Sequence, residues 1–343
     1  MNRHLEVIRT VLLILLSVAL TSHAAGIAKY AGEFMSSGVG ARGLGMGGAY
    51  VAVGGDVTYG YWNPAGLASI RFPELSGMHS RRFEGIVNND YIGFATPFRE
   101  SETLGLSVIR TAVDDIPITA LPRPDLGIGV AYEDKDGNLV ANRPYVAKTV
   151  SDAEYAFYLS YARAHSGQMS YGANVKFVRK GVGDNSAWGI GFDIGMLWNP
   201  VQSLLLGCNL QDATTTLLAW DTGKRELIAP TLKTGLAYPY QINFIKSRLL
   251  LAADTDIRFE GRSFASQAHA GALSFDFHAG AELLFRNTVA VRIGSDIGFL
   301  TAGAGIKLPR LDLDYAFLGH DDLGVTHRVS LCVRLEEDKF ARR

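Results

Sequence analysis

The sequence predicts an all-β chain, a 14-stranded antiparallel transmembrane β-barrel with an N-terminal plug in its lumen. Three observations predict it. Apolar and polar residues alternate with a period of two over unusually long segments. Long and short connections alternate along the chain. The sequence also begins with an export signal.

The N-terminus carries Arg3, His4 and Arg9, then an apolar run from Val11 to Leu20, then small residues around Ala24 and Ala25. This is the pattern of a secretory signal peptide over residues 1–24. The run is too short for a spanning helix, which needs about 20 apolar residues. No second long apolar run follows, so a helical membrane protein is excluded and a barrel or a secreted sandwich remains. The formal net charge is −1, with no basic block, which gives no indication of nucleic acid as a partner. Two cysteines, Cys208 and Cys332, are too few for a disulfide framework.

Residues 25–72 are glycine-rich and contain Gly43-x-Gly45-x-x-Gly48, the spacing of a dinucleotide fingerprint. That motif needs a buried strand before it. Here a signal peptide and a short polar lead precede it. The alternative is a plug folded into the lumen, with Asn63 capping a helix that starts at Pro64 and continues through Ala65. Glycines would let its backbone approach the wall. Ala187, Gly189, Gly191 and Gly195 form a smooth inward face to receive it.

The barrel is expected over residues 73–335. Its strands are expected at 75–83, 88–98, 103–111, 154–164, 169–180, 187–198, 202–211, 230–239, 247–258, 275–285, 288–296, 299–308, 311–318 and 326–335. Strands of a sandwich average about five or six residues, whereas a tilted membrane strand needs about 9–11. In the sixth, Trp188, Ile190, Phe192, Ile194, Met196 and Trp198 share one face. The two tryptophans span about 33 Å of strand, which a tilt near 40° projects to about 25 Å, the height of a lipid-facing band between aromatic girdles. The opposite, lumen-facing set is polar: Glu154, Lys176, Asp193, Asp254, Asp256, Asp276, Glu282, Arg292, Asp312, Asp314, Arg328 and Arg334. Acids and bases are mixed, which suits a packed network better than an ion-selective pore.

Long links are expected at 112–153, 212–229 and 259–274, all on the external side. Short turns at 165–168, 199–200, 286–287 and 309–310 fall on the periplasmic side, and an even strand count returns both termini there. In the first long link, Ile116, Ile118, Leu121, Leu126 and Ile128 are candidates for an external binding surface. Residues 336–343 form a C-terminal tail.

The stretch GARGLGMGGAYVAVGGDVTYGYWNPAGLA, residues 40–68, resembles the N-terminal plug of the FadL-like outer-membrane β-barrel superfamily. The ending DYAFLGHDDLGVTHRVSLCVRL, Asp314–Leu335, looks like its PorV/PorQ branch. The resemblance implies a monomeric barrel with an internal hatch in the lipid of the bacterial outer membrane. It implies either a partner or cargo-handling subunit in type IX-like protein secretion, bound to secretion-machinery proteins, or a FadL-like transporter for small hydrophobic ligands. Many such barrels end on an aromatic; here the last strand ends at Leu335.

No enzyme signature is expected. His320, Asp321, Asp322 and His327 lack metal-site spacing, and Asp134, Asp136 and Asn138 lack the acid that completes a calcium loop. No Gly-x-Ser-x-Gly turn is present, and no cofactor or metal is expected.

Overall fold

Fourteen strands form because every second side chain is apolar and every intervening one is small or polar, so each strand has one face for lipid and one for a filled interior. The computed structural model describes residues 32–342, apart from 202, 262–265, 321–323 and 338–340. The expected signal peptide, Asp321 and Asp322 lie outside the described residues.

The strands are β1 (Glu74–Arg82), β2 (Val87–Arg99), β3 (Glu102–Ala120), β4 (Tyr145–Ser166), β5 (Met169–Val182), β6 (Asn185–Val201), β7 (Leu204–Gln211), β8 (Thr231–Ile242), β9 (Ser247–Arg258), β10 (Leu273–Phe285), β11 (Val289–Asp296), β12 (Phe299–Leu308), β13 (Leu311–His320) and β14 (Gly324–Arg334). Each is antiparallel to the next. β14 returns to β1, with Val333 opposite Leu75 and Arg328 opposite Ser80, so the ring has no free edge.

The outward face is apolar and solvent-free only in lipid. Along β6, Trp188, Ile190, Phe192, Ile194, Met196 and Trp198 are 39–58% exposed, while Ala187 and Asp193, at the alternate positions, are fully buried. Arg179 lies over the Trp188 ring at 5.3 Å, an arrangement suited to a membrane interface. Cys208 and Cys332 are both free.

The expected long link 112–153 is corrected by the structure. β3 and β4 continue their ladder well past the other strands, with Ile116 opposite Val150 and Ile118 opposite Lys148. Ile116 and Ile118 are therefore strand residues, and only 121–144 is loop, carrying its own small hairpin of Ala131–Glu133 and Leu139–Ala141. Pairing wins because a continued ladder satisfies backbone groups that an open loop would leave to water. Asp115, at φ 59°, marks a bulge in this extension. The link after β7 is likewise a hairpin, Thr216–Trp220 with Arg225–Ile228, whose first strand pairs with the outer end of β6.

The buried apolar cluster comes mainly from residues 34–70, including Val39, Met46, Tyr50, Tyr59 and Leu67, each at most 1% exposed. This segment folds as short pieces: a 3-10 turn (Glu33–Ser37), α1 (Ala41–Gly45), α2 (Tyr59–Trp62) and a second 3-10 turn (Pro64–Ser69). α1 rests on β11–β14, and Pro64–Ser69 rests on β3–β6 across the ring. Contact with opposite walls places the segment inside the barrel.

The alternation of connections predicts orientation. An epitope tag inserted after Gly137 should be reached by antibody on intact cells, and one after Asn287 only after permeabilisation. The reverse pattern would overturn the assigned sides.

Candidate functional site

The lumen segment is too fragmented to satisfy its own backbone, because helices of four or five residues leave most N–H and C=O groups unpaired. The wall supplies the partners. Asp254 accepts hydrogen bonds from Tyr50 N at 2.6 Å and Val51 N at 2.7 Å. Asn174 Nδ2 donates to Gly60 O at 2.8 Å, Asn209 Nδ2 to Trp62 O at 2.9 Å and Thr301 Oγ1 to Gly45 O at 3.2 Å. His278 Nδ1 meets Gly47 O at 3.0 Å. Buried polar groups must find such partners or cost about 1–3 kcal/mol each.

Gly43, Gly45 and Gly48 are parts of a helix and its stop. Gly43 and Gly45 lie in α1, Gly43 O accepts from Met46 N and Gly48 N, and Gly47 and Gly48 follow with φ of 68° and 77°. That is a left-handed helix terminus and needs glycine. Asn63 stands before the 3-10 turn that starts at Pro64, accepts from Ala65 N at 3.2 Å, and donates to Val51 O and Met196 O. It thus ties two parts of the segment to β6.

Close approach fixes the wall opposite. A Cβ at Gly172 on β5 would lie 2.5 Å from Ala65 N, and one at Gly207 on β7 would lie 2.5 Å from Val51 O. The smooth face expected on β6 is only partly used this way. Gly195 meets Asn63 and Pro64, but Gly189 faces Leu218 and Gly191 faces Thr216. The chain after β7 folds back over that end of β6 and takes the space.

The polar lumen residues form ion-paired groups. Arg42 of α1 makes a two-point bond to Glu282, at 2.9 and 2.8 Å, and Arg292 reaches Glu282 at 2.7 Å and Asp314 at 2.7 Å. Lys176 lies 2.8 Å from both Asp193 and Asp212. Lys233 pairs with Asp256, Lys180 with Glu154 at 2.6 Å, and Arg334 with Asp312 at 2.8 Å. Arg328 has no such partner among the described residues. Asp212 and Arg42 were not expected here. Asp212 sits just past the predicted end of its strand, and Arg42 lies in a segment without strand periodicity.

Aromatic rings fill the centre. Tyr50 packs on Tyr59 at 5.0 Å, Tyr61 on Trp62 at 5.0 Å, and Tyr61 reaches Tyr158 of β4 at 6.3 Å. Tyr158, buried among the small and polar residues of the inward face of β4, is the wall's contribution to this cluster. Burial pushes the Tyr50 and Tyr59 phenols well above their ordinary range, so both stay protonated and donate, Tyr50 to Asp56 and Tyr59 to Tyr50 O.

Two recesses of about 60 Å³ flank this centre. The external one is lined by Met35, Tyr61, Tyr158, Lys176, Lys233 and Arg258. The periplasmic one is lined by Arg42, Asp56, Ser76, Lys307, Asp312 and Arg334.

Of the expected external surface, Leu121 and Leu126 are half-buried and Ile128 is 73% exposed. Asp134 accepts from Asp136 N and Asn138 N, both at 2.9 Å, which makes it a turn former. His327 bonds Tyr315 Oη at 2.7 Å on the outer face. No group of metal-ligating side chains exists among the described residues.

The wall's hold on the segment is testable. Asp254→Ala would leave two buried N–H groups unpaired, at about 1–3 kcal/mol each. Amide exchange at Tyr50 and Val51 should accelerate about thirtyfold or more. Unchanged exchange would show that the carboxylate is not what holds them. In planar bilayers the wild-type barrel should lack the steady conductance of an open porin.

No protein-family model matches the chain, and no curated protein matches it. Solved structures do. The Ralstonia pickettii toluene transporter TbuX is 13% identical, with a TM-score of 0.55, over 87% of this chain and 98% of that one. The P. putida toluene transporter TodX is 12% identical, with a TM-score of 0.54, over 88% and 99%. The CymD monoaromatic hydrocarbon channel is 12% identical, with a TM-score of 0.55, over 88% and 98%. At these identities the likeness is one of fold. It joins the closed ring and the lipid-facing band described above: the chain is a bacterial outer-membrane β-barrel with the fold of these transporters and channels.

Proposed function

We propose that the barrel takes up small hydrophobic molecules across the outer membrane, with residues 33–70 acting as a hatch. The observation that carries this reading is a lumen filled by its own N-terminal segment, with one recess on each side of an aromatic centre. A barrel so arranged does not pass solutes as an open porin does; passage requires the segment to shift. The toluene and monoaromatic hydrocarbon transporters of similar fold support the substrate class. Met35, Tyr61 and Tyr158 give the external recess an apolar side.

A second reading is a partner or cargo-handling role in protein secretion, as the PorV/PorQ-like ending suggests. The β3–β4 hairpin favours it. Ile118, Ile128, Val130, Leu139, Tyr145 and Val146 are 40–76% exposed there, interspersed with Arg123, Asp125 and Lys135. Exposed apolar groups rimmed by charge mark interaction surfaces.

Uptake of radiolabelled toluene by cells expressing the barrel should exceed that of vector controls severalfold, and deletion of residues 124–142 should reduce it. Uptake equal to the control, with the barrel shown in the outer membrane by surface labelling, would sink the transport reading. A stoichiometric protein partner on gently extracted barrel, seen by native mass spectrometry, would then favour the second.

A further inference from the structure

The barrel wall places a buried, unpaired guanidinium at its external third. Arg328 of β14 points into the lumen and is 3% exposed. Its Nη1 has no hydrogen-bond partner, and no carboxylate lies within ion-pair distance among the described residues. A buried charge without a partner costs several kcal/mol, so it is rarely left so. Every other lumen arginine named above has an acid.

The neighbours repeat the pattern. Ser80 of β1 is directly opposite Arg328 in the ladder and 1% exposed, and its Oγ is unpaired. Arg82, two residues on and on the same face, has an unpaired Nε. Its Nη1 donates to Ser37 Oγ at 2.5 Å, which leaves the Ser37 hydroxyl proton free to donate in turn. Asn89, opposite Ser80 on β2, donates to Thr111 and has a free Oδ1. The charged groups around Arg328 are Arg82 and Asp296, and Asp296 already meets His278 Nδ1 at 3.1 Å. Among the described residues, two cations, two hydroxyls and one shared carboxylate leave the pocket short of negative charge.

We propose that Arg82, Arg328, Ser80 and Ser37 form a binding site for a small oxyanion, a phosphate or a carboxylate. Guanidinium N–H groups fit such oxygens in paired geometry, and their bonds to charged acceptors are the strong ones. Arg82 ends β1 at the external rim, and it and Ser37 are half-exposed. The anion therefore enters from outside. The site lies on β1, β14 and the end of the Glu33–Ser37 turn, its residues are absent from the lining of both recesses, and it does not depend on the transport reading.

The test uses the full barrel in detergent, titrated by calorimetry with inorganic phosphate and, separately, with acetate, chloride balancing the ionic strength. Saturable binding of one of them with a stoichiometry of one is expected, and which one binds distinguishes a phosphate from a carboxylate site. Arg328→Met should weaken it at least tenfold, and Arg82→Gln should do the same if the first variant fails to fold. Arg310→Gln, at a periplasmic turn, should leave it unchanged. No binding to wild type, binding retained in both lumen variants, or an equal loss in Arg310→Gln would each overturn the site.

Discussion

One carboxylate holds the middle of the segment inside this barrel. Asp254 projects from β9 and takes the N–H groups of Tyr50 and Val51 together. Those two residues join α1 and its glycine stop to the aromatic centre, so fixing their backbone fixes the rings on either side. The Tyr50 ring then packs on Tyr59 and Trp62, and Asn63 brings Val51 O to β6. The lumen is thus organised from the backbone outwards. Side chains of the wall act as the partners that a longer helix would have provided for itself.

The same constraint explains the wall's composition. Where the segment comes closest, the strands carry glycine, as at Gly172 and Gly207. Where it is a side chain's length away, they carry asparagine, threonine or an ion-paired acid. Arg42 is the one charged side chain of α1, and Glu282 meets it in two-point contact beside Arg292. Desolvating such a cluster is costly, and only near-complete pairing offsets it. The pairs are consequently interlocked, one acid serving cations from both the segment and the wall.

The barrel was legible in the sequence because lipid on one side and a polar interior on the other impose a strict period of two. All fourteen strands lie where that period places them, and their ends differ mainly where the ladder outlasts the membrane. Ile116 and Ile118 read as loop because the alternation blurs beyond the bilayer, where both faces meet water. The partners of the lumen segment were harder to see. Asn209 shares its face with Gly207, and that parity alone could have marked it. Asp212 lies at the turn where parity is lost. The use of Gly189 and Gly191 by Leu218 and Thr216 was hidden, since a hairpin folding back over its own wall leaves no periodic trace.

The extension of β3 and β4 has an architectural consequence. These strands have 19 and 22 residues, roughly twice the 9–11 that cross a membrane. Their upper half stands outside as a two-stranded beam, and their lower half is the wall on which Pro64–Ser69 rests. The bulge at Asp115 is the joint between the two. The ladder joining the two halves shifts register at that joint and again between Ile118 and Thr119. The lower half meets the one turn of the inner segment that begins with a proline. The outer hairpin and the seat of the inner segment's proline turn are therefore built from the same two strands.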